Sequence, residues 1–474
     1  MQVLNIIIKN WLVRLGGALF FLILARGLGL DELGLVSLYI LIFNASDLLV
    51  ENGVSDAIAN NKVQTFKVGI IYTTLGAFVA VVAVVLLWVT ALDNTLKANI
   101  YFPFILALHC ALNSYNFAMQ GAFRMMGRFD VLAKKSVIVI LLSLVISLLY
   151  FYFHKSADAI LLYFMVQSVS TACYLYMSQA KKTIEFCANG MFLGSEKHIR
   201  RFFGFKLAGF LSGRVLELLV YLKYGPIFLA LLVVGSRIYN VFSFFIISVL
   251  QDYIFHLNND VVMGEMSTKK NDFESLLLTT SFITAPLFLG AAAVASPLLD
   301  ILIGVGKVGD SYIYLKLFCV LGALEVVQYV LYTTVLSGSN SSRPTYIQFA
   351  KFFSILLLYF VFDTESPTLF ILSSVVLSLF ISVFYIVHTI WVELSFSKKQ
   401  TFIFLSYYIA ALLMYLVVIA VGLKLVDLSA INKLMILIPV GIFTYFMFSL
   451  IFARNDVKNR LGILLNKGTH CDSV

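Results

Sequence analysis

Residues Phe202–Leu222 read FFGFKLAGFLSGRVLELLVYL, a run long enough to cross a bilayer that also contains Lys206, Arg214 and Glu217. At about 100° per residue, Glu217 falls roughly 20° from Lys206, and Arg214 falls about 80° away. The helix therefore has one charged face, which it shares with two glycines, and one apolar face. An ionised side chain at the bilayer centre costs on the order of 3 kcal/mol or more unless it is paired or hydrated. The charged face is therefore predicted to look inward, toward partners or a water-filled cavity.

The composition of the whole chain is that of a membrane protein. Of its 474 residues, 61% are hydrophobic and only 12% are charged, and the mean hydropathy is +0.95. These values exclude an ordinary soluble domain. Apolar runs close to the roughly 20 residues that cross a bilayer recur along the whole length. The first run follows Lys9, contains Arg14 and Arg26, and has no small-residue cleavage site, so we expect it to remain as a span.

Hydropathy, loop charge and Gly/Pro breaks predict an all-α polytopic membrane protein with about fourteen transmembrane helices. The predicted spans are 11–29, 33–53, 67–92, 99–122, 132–153, 158–178, 202–222, 226–252, 276–299, 311–337, 346–362, 368–392, 401–423 and 431–453. Lys and Arg concentrate in the connections that follow even-numbered spans and in the C-terminal tail. With an even number of spans, the positive-inside rule places both termini in the cytoplasm.

An internal repeat predicts that the chain is organised as two halves. Arg14-Leu-Gly-Gly in the first span matches Lys206-Leu-Ala-Gly in the seventh, and the turn at Gly34 matches Pro226 at the same spacing. Several matches in the same order indicate two parallel six-helix repeats. The predicted domains are an N-terminal six-helix lobe at 1–178, a cytoplasmic linker at 179–201 and a C-terminal six-helix lobe at 202–392. Two extra helices and a cytoplasmic tail follow at 393–474.

The fourth and tenth spans extend this repeat. Gln120-Gly121 closes the fourth span and Ser337-Gly338 closes the tenth. About a dozen residues before each glycine lies an unusual polar group, His109 in one half and Glu325 in the other.

Two sets of charged side chains within the spans are the candidate functional residues. The predicted substrate-binding residues are basic, because an arginine fork binds two phosphate oxygens at once and dry surroundings strengthen the contact. They are Arg14, Lys206, Arg214 and Arg237. The candidates for ion coupling or gating are acidic: Asp47, Glu51, Glu217 and Glu325.

Structural roles compete with these functional ones. Arg14 is alternatively a partner of Asp47 that locks the first two spans together. Arg214 and Glu217 have the spacing of a buried i,i+3 pair. Lys206 lies within a turn or two of the cytoplasmic end, from which a lysine can snorkel to the interface.

Two further polar residues are also read structurally. Glu51 is expected to lie at the cytoplasmic headgroups, and His109 is expected to be a packing residue with its polar atoms satisfied. The sequence leaves each of these alternatives open beside the functional role.

No motif in the chain points to an enzyme, a cofactor or a metal. The stretch Ile303–Gly309 (IGVGKVG) is rich in glycine but lacks the P-loop pattern and falls on the outside. The five cysteines are scattered without a CxxC, and no catalytic triad or metal-ligand spacing stands out. No outside loop exceeds about 15 residues, which leaves no room for an external catalytic domain. The net charge of +9 reflects membrane topology, so no nucleic-acid partner is expected.

Three stretches carry a family resemblance over roughly the first 390 residues. They are Ala25–Leu35 (ARGLGLDELGL), Pro297–Gly304 (PLLDILIG) followed by Tyr312, and Leu336–Asn340 (LSGSN). In order and spacing the chain resembles the polysaccharide-transporter branch of the multidrug/oligosaccharidyl-lipid/polysaccharide exporter superfamily. Wzx-type O-antigen flippases are the members that it resembles most.

The resemblance implies two six-helix lobes around a central cleft, and transport by alternating access. It also implies export of an oligosaccharide linked to undecaprenyl pyrophosphate across the bacterial cytoplasmic (inner) membrane. In that family the first, second, seventh and eighth helices line the cleft, and these helices hold most of the charges named above. Membrane lipid, a proton or sodium ion, and other polysaccharide-assembly proteins are the further partners that it implies.

Other functions remain as rivals at this stage. A drug/cation antiporter of the same superfamily would favour an acidic or aromatic cleft. The basic residues named above argue against this function. A membrane glycosyltransferase, glycan polymerase or ligase would need substantial external loops. Export of teichoic-acid precursors or of lipid II is hardly separated from O-antigen export by the sequence.

Overall fold

The computed structural model describes residues 2–59, 66–90, 101–126, 128–178, 195–260, 266–304, 309–337, 343–362, 365–393 and 396–466. Of the predicted linker at 179–201, residues 179–194 lie outside the described residues. Part of the glycine-rich stretch at 303–309 and the last eight residues of the predicted tail also lie outside them.

The described chain is helical throughout and contains no strand. Its first half contains α1 (Gln2–Gly27), α2 (Leu30–Glu51), α3 (Val54–Ala59), α4 (Phe66–Thr90), α5 (Tyr101–Met125), α6 (Phe129–His154), α7 (Ala159–Met177) and α8 (Ser195–Tyr224). The second half contains α9 (Pro226–Asp260), α10 (Met266–Ala293), α11 (Ala295–Leu302), α12 (Ser311–Ser337), α13 (Arg343–Val361), α14 (Pro367–His388), α15 (Lys398–Lys424) and α16 (Ala430–Asn466). A short π-helical turn, Thr389–Glu393, follows α14.

The described part of every predicted span is mainly helical, which confirms the all-α membrane class. Among the described residues, nine helices are long and apolar enough to cross a membrane, and three shorter apolar segments lie at Leu15–Gly27, Ile70–Val85 and Thr345–Val361. The predicted spans 99–122 and 202–222 lie in α5 and α8, which carry more polar residues. Many large apolar side chains on these helices are exposed, as expected where lipid replaces water as the solvent.

Local sequence explains several helix ends. Ser366 caps α14, accepting a hydrogen bond from the Leu369 amide, with a proline at the first helical position. Ser397 and Gln400 form a reciprocal capping box at the start of α15. After α2 the chain turns through Asn52 and Gly53, both with positive φ, because those residue types tolerate the left-handed region.

The chain forms two compact units, Met1–Ala230 and Leu231–Val474. In the first, α5 packs against α2, α3, α4 and α7, α1 packs against α6, and α8 contacts α2 and α3. In the second, α10 packs against α12 and α15, α12 packs against α14, and α15 pairs with α16. The sequence prediction grouped α8 with the second lobe, and the predicted lobe boundaries stay a prediction.

Glycine permits a close contact between two helices of the first unit. A Cβ at Gly76 of α4 would overlap the backbone carbonyl of Leu49 of α2. Because backbone cannot rotate away as a side chain does, the two helices need glycine at this crossing.

Candidate functional site

The first unit contains a polar cluster between apolar helices, which we call the His109 cluster: Asp47, His109, Asn113, Asn116 and Ser168. Asp47 Oδ1 of α2 accepts a hydrogen bond from Asn113 Nδ2 at 2.7 Å and lies 2.9 Å from His109 Nε2 of α5. On the other side of the ring, His109 Nδ1 lies 2.7 Å from Ser168 Oγ of α7. Asn116 donates to Asn113 Oδ1 at 2.9 Å and to the Ser168 carbonyl at 3.1 Å. The cluster therefore ties α2, α5 and α7 together.

Aromatic rings wall the His109 imidazole. Phe43 and Phe164 each meet the ring edge-on, with centroids 4.7 Å and 5.9 Å away, and they stack on one another at 4.5 Å. His109 is 2% exposed, whereas the Asp47 side chain is 30% exposed. Apolar side chains thus shield the imidazole, and the Asp47 carboxylate is the more exposed member of the pair.

The second unit contains a comparable set, which we call the Glu325 cluster: Tyr239, Glu325, Gln328, Lys351 and Ser382. Tyr239 of α9 donates to Glu325 Oε2 at 2.6 Å, and Lys351 Nζ of α13 donates to Glu325 Oε1 at 3.2 Å. Gln328 Oε1 accepts from Lys351 Nζ at 3.0 Å and from Ser382 Oγ of α14 at 3.1 Å. Lys351 is buried, while the Glu325 side chain is 32% exposed.

The two clusters occupy corresponding places in the predicted internal repeat. One centres on His109 in the fourth predicted span and the other on Glu325 in the tenth, and each includes one residue from the span two places earlier, Asp47 or Tyr239. In sequence, Tyr239 follows Asp47 at the same separation as Lys206 follows Arg14. The repeat thus places a polar centre in each unit, with different chemistry in the two.

Two of the four predicted substrate-binding cations have carboxylate partners. Lys206 Nζ of α8 lies 2.6 Å from Glu51 Oε1 of α2, and both side chains are partly exposed. Arg214 Nη1 lies 2.5 Å from Glu217 Oε1 one turn along α8, so the i,i+3 pair is present. Glu217 is 5% exposed. The carboxylates that neutralise these cations are themselves residues predicted for coupling or gating.

The other two predicted substrate-binding cations are Arg237 and Arg14. Arg237 is half-buried on α9. Arg14 lies on α1, but its side chain falls outside the described residues. A pair between Arg14 and Asp47 therefore stays a prediction, although Asp47 has the two other partners named above.

An apolar cavity of about 480 Å³ lies within the second unit. It is bounded by α10, α11, α15 and α16, with Phe242 of α9 at one side. Tyr445 is its polar contributor, and the Tyr445 hydroxyl is occupied by a hydrogen bond to the Phe282 carbonyl at 2.8 Å. Helices α15 and α16 thus form one wall of this apolar cavity.

Sequence reasoning missed the partners that make both clusters. His109 was expected to be a packing residue with its polar atoms satisfied, and neither Tyr239 nor Lys351 was singled out. The i,i+4 spacing of His109 and Asn113 is a signal for a polar stripe on an otherwise apolar helix. Among the described residues, no group of three or more His, Cys, Asp or Glu is placed to hold a metal ion.

Comparison of the fold with solved structures identifies its class. A structure described as "Lipid II flippase MurJ, inward closed conformation" matches with a TM-score of 0.66 and 15% identity, covering 95% of this chain and 99% of that one. An inward-facing multidrug resistance MATE family transporter of the MOP superfamily matches at 0.59 and 11% identity, covering 81% and 98%. An outward-facing one matches at 0.56 and 13% identity, covering 83% and 95%. The chain is a multi-pass membrane protein with the fold of these transporters.

The family follows from the sequence. The model of a family described as "Polysaccharide biosynthesis protein" matches residues 23–306, more than half of the chain, and the protein belongs to that family. No curated protein matches the sequence. The resemblance to the polysaccharide-transporter branch of the superfamily is confirmed.

Proposed function

We propose that the protein is a flippase that moves an oligosaccharide linked to undecaprenyl pyrophosphate from the cytoplasmic to the outer leaflet by alternating access. The apolar cavity carries this proposal, because its volume of about 480 Å³ lies beside lipid-facing helices and suits part of a polyprenyl chain. The family supports a role in polysaccharide biosynthesis. The expectation of a transporter rather than an enzyme agrees with the flippase and the MATE transporters that share the fold.

The charged residues of α8 supply a second part of the proposal. Lys206 and Arg214 are held by Glu51 and Glu217, so neither cation is an uncompensated charge without substrate. A pyrophosphate carries more negative charge than one carboxylate and binds several donors at once, so it would compete for them. In this scheme Glu51 and Glu217 act as placeholders that the headgroup displaces, which is a gating role. Arg14 and Arg237 are the further candidate ligands.

The substrate class and the setting are parts of the same proposal. An O-antigen-like repeat unit in the bacterial inner membrane, with both termini in the cytoplasm, agrees with the loop charges and the resemblance. The lipid II flippase match extends over more of this chain than the MATE matches do, which favours a lipid-linked substrate over a drug cation. Teichoic-acid precursors and lipid II are the neighbouring substrate classes.

A pair of substitutions at Gly290 tests the cavity. A Cβ at this position meets only the Met414 side chain, at 3.7 Å, so Gly290→Ala fits and leaves most of the cavity open. Gly290→Leu projects into the cavity and is expected to block export. In a deletion strain of the host, the Ala variant should restore surface glycan, and the Leu variant should not, at equal amounts of protein in the membrane.

The location of the trapped intermediate separates the rivals. In spheroplasts lacking the protein, lipid-linked oligosaccharide should be protected from membrane-impermeant periodate. Intermediate that is already accessible outside would favour a polymerase or ligase. Unchanged glycan together with drug sensitivity would favour a drug antiporter.

A further inference from the structure

The contact between Asp47 and His109 requires a proton. Asp47 Oδ1 and His109 Nε2 lie 2.9 Å apart, and both atoms are acceptors unless one of them is protonated. Asn113 donates through its amide nitrogen to Asp47 Oδ1 at 2.7 Å, and its oxygen is occupied because Asn116 donates to it. A proton therefore lies between carboxylate and ring, and an Nε2–H that donates to Asp47 fills this place.

The opposite side of the ring is built to accept a second proton. Ser168 Oγ lies 2.7 Å from His109 Nδ1 and donates to it when that nitrogen is bare. When Nδ1 carries a proton, the same hydroxyl rotates and accepts, because a serine oxygen does both. Both ring nitrogens thus keep a partner in either state, which avoids the cost of an unsatisfied buried polar group.

The second proton changes the net charge of the pair. With one proton the pair is anionic, and with two it is a neutral imidazolium–carboxylate pair. Among side chains, histidine is the one that ordinarily changes charge between about pH 5 and 8. A net charge within apolar helices is unfavourable, so the two states are suited to different conformations or different exposure.

The described contacts of the pair come from α2, α5 and α7. The contacts described bring Asp47 and Phe43 from α2 and Ser168 and Phe164 from α7. On α5 itself the other titratable neighbour is the buried thiol of Cys110, which is close enough to feel the Asp47 charge and is hydrogen bonded to Ser46.

We propose that Asp47 and His109 form a proton-binding site in the first unit, which takes up a proton at His109 Nδ1 and releases it during the transport cycle. Proton binding stands on the cluster itself, and only its coupling to transport rests on the proposed flippase function. The Glu325 cluster serves as the contrast, because Lys351 already supplies a cation to Glu325 there.

Histidine NMR on the full-length protein in lipid nanodiscs tests the binding step. The chain has six histidines, and the His109 signal is assigned by its loss in His109→Gln. It should move between imidazolium and neutral positions from about pH 5 to 9. A His109 signal that does not change over this range overturns the proposal. His154 and His388, both exposed, serve as reference histidines in the same sample.

Three variants assign the partners. Asp47→Asn removes the counter-charge of the imidazolium and should displace the pH range over which the His109 signal changes. Ser168→Ala is conservative enough to fold and should have a smaller effect of the same kind, because a hydrogen bond to a charged donor is lost. Glu325→Gln should leave the midpoint unchanged. An unchanged midpoint in both Asp47→Asn and Ser168→Ala would refute the site.

Export measured against external pH separates the two proposals. Wild-type export should change over the pH range in which His109 titrates, and Asp47→Asn export should lose that dependence. If His109 titrates but no lipid-linked sugar is moved, the flippase function fails and the proton site stands. If sugar is moved while His109 is silent, the proton site alone fails.

Discussion

The Glu325–Lys351 pair makes a quantitative prediction about asymmetry. Breaking a buried ion pair by removing one partner destabilises a protein by about 3–5 kcal/mol. The loss of stability should depend on which partner remains, because the Lys351 side chain is 4% exposed and the Glu325 side chain is 32% exposed. Glu325→Gln leaves the buried ammonium of Lys351 without its counter-charge. We therefore expect the free energy of unfolding to fall by about 3 kcal/mol, the lower end of that range.

Lys351→Met should be milder. Glu325 then keeps its hydrogen bond from Tyr239 and its access to water, so we expect about 1 kcal/mol, as for a partly exposed pair. In the double variant no charge remains, and Gln328 still accepts from Ser382, so stability should return to within about 1 kcal/mol of the wild type.

Thermal unfolding of the purified protein, followed by size-exclusion fluorescence, measures these differences. At roughly 1 °C per kcal/mol for a chain of this length, the apparent midpoint should fall about 3 °C in Glu325→Gln and about 1 °C in Lys351→Met. Lys399→Met removes an exposed lysine and should change nothing. A larger loss in Lys351→Met, or a double variant as unstable as Glu325→Gln, would refute the reasoning.

Three further predictions follow from single contacts. Gly76→Ala should lower the amount of folded protein in the membrane, whereas Gly209→Ala, where a methyl meets nothing within 4 Å, should not; equal yields by immunoblot would contradict this. Arg214→Gln should abolish surface glycan, and Arg214→Gln/Glu217→Gln should recover thermal stability without recovering glycan; normal glycan in either variant would remove Arg214 from substrate binding. Ser397→Ala should lower the free energy of unfolding by about 1 kcal/mol through loss of the α15 cap, and an unchanged midpoint would argue against that cap.

The sequence predicted those features that depend on neighbours along the chain. Apolar runs predicted the helices. The i,i+3 spacing predicted an Arg214–Glu217 pair as one alternative, beside a substrate-binding role for Arg214. Lys206–Glu51 and the two polar clusters join helices far apart in sequence. Single polar residues in apolar spans do not reveal such partners, and for that reason the contacts of His109 and Lys351 were not predicted.

The internal repeat was informative in a different way. It singled out His109 and Glu325 as matched positions, and the structure gives each a polar cluster with a partner on another helix. It did not predict that one cluster is built on an imidazole and the other on a lysine. Repeats preserve helix packing, whereas the chemistry at a matched position is free to differ.

Reconstitution tests the flippase account most directly. Purified protein and lipid-linked oligosaccharide extracted from the deletion strain are combined in vesicles with an imposed proton gradient, and membrane-impermeant periodate is added outside. Without protein, or with Gly290→Leu, only the outer-leaflet sugar should be oxidised. With wild-type protein or Gly290→Ala, the inner-leaflet pool should become accessible as well. An inner pool that stays protected in the presence of folded wild-type protein would contradict the account.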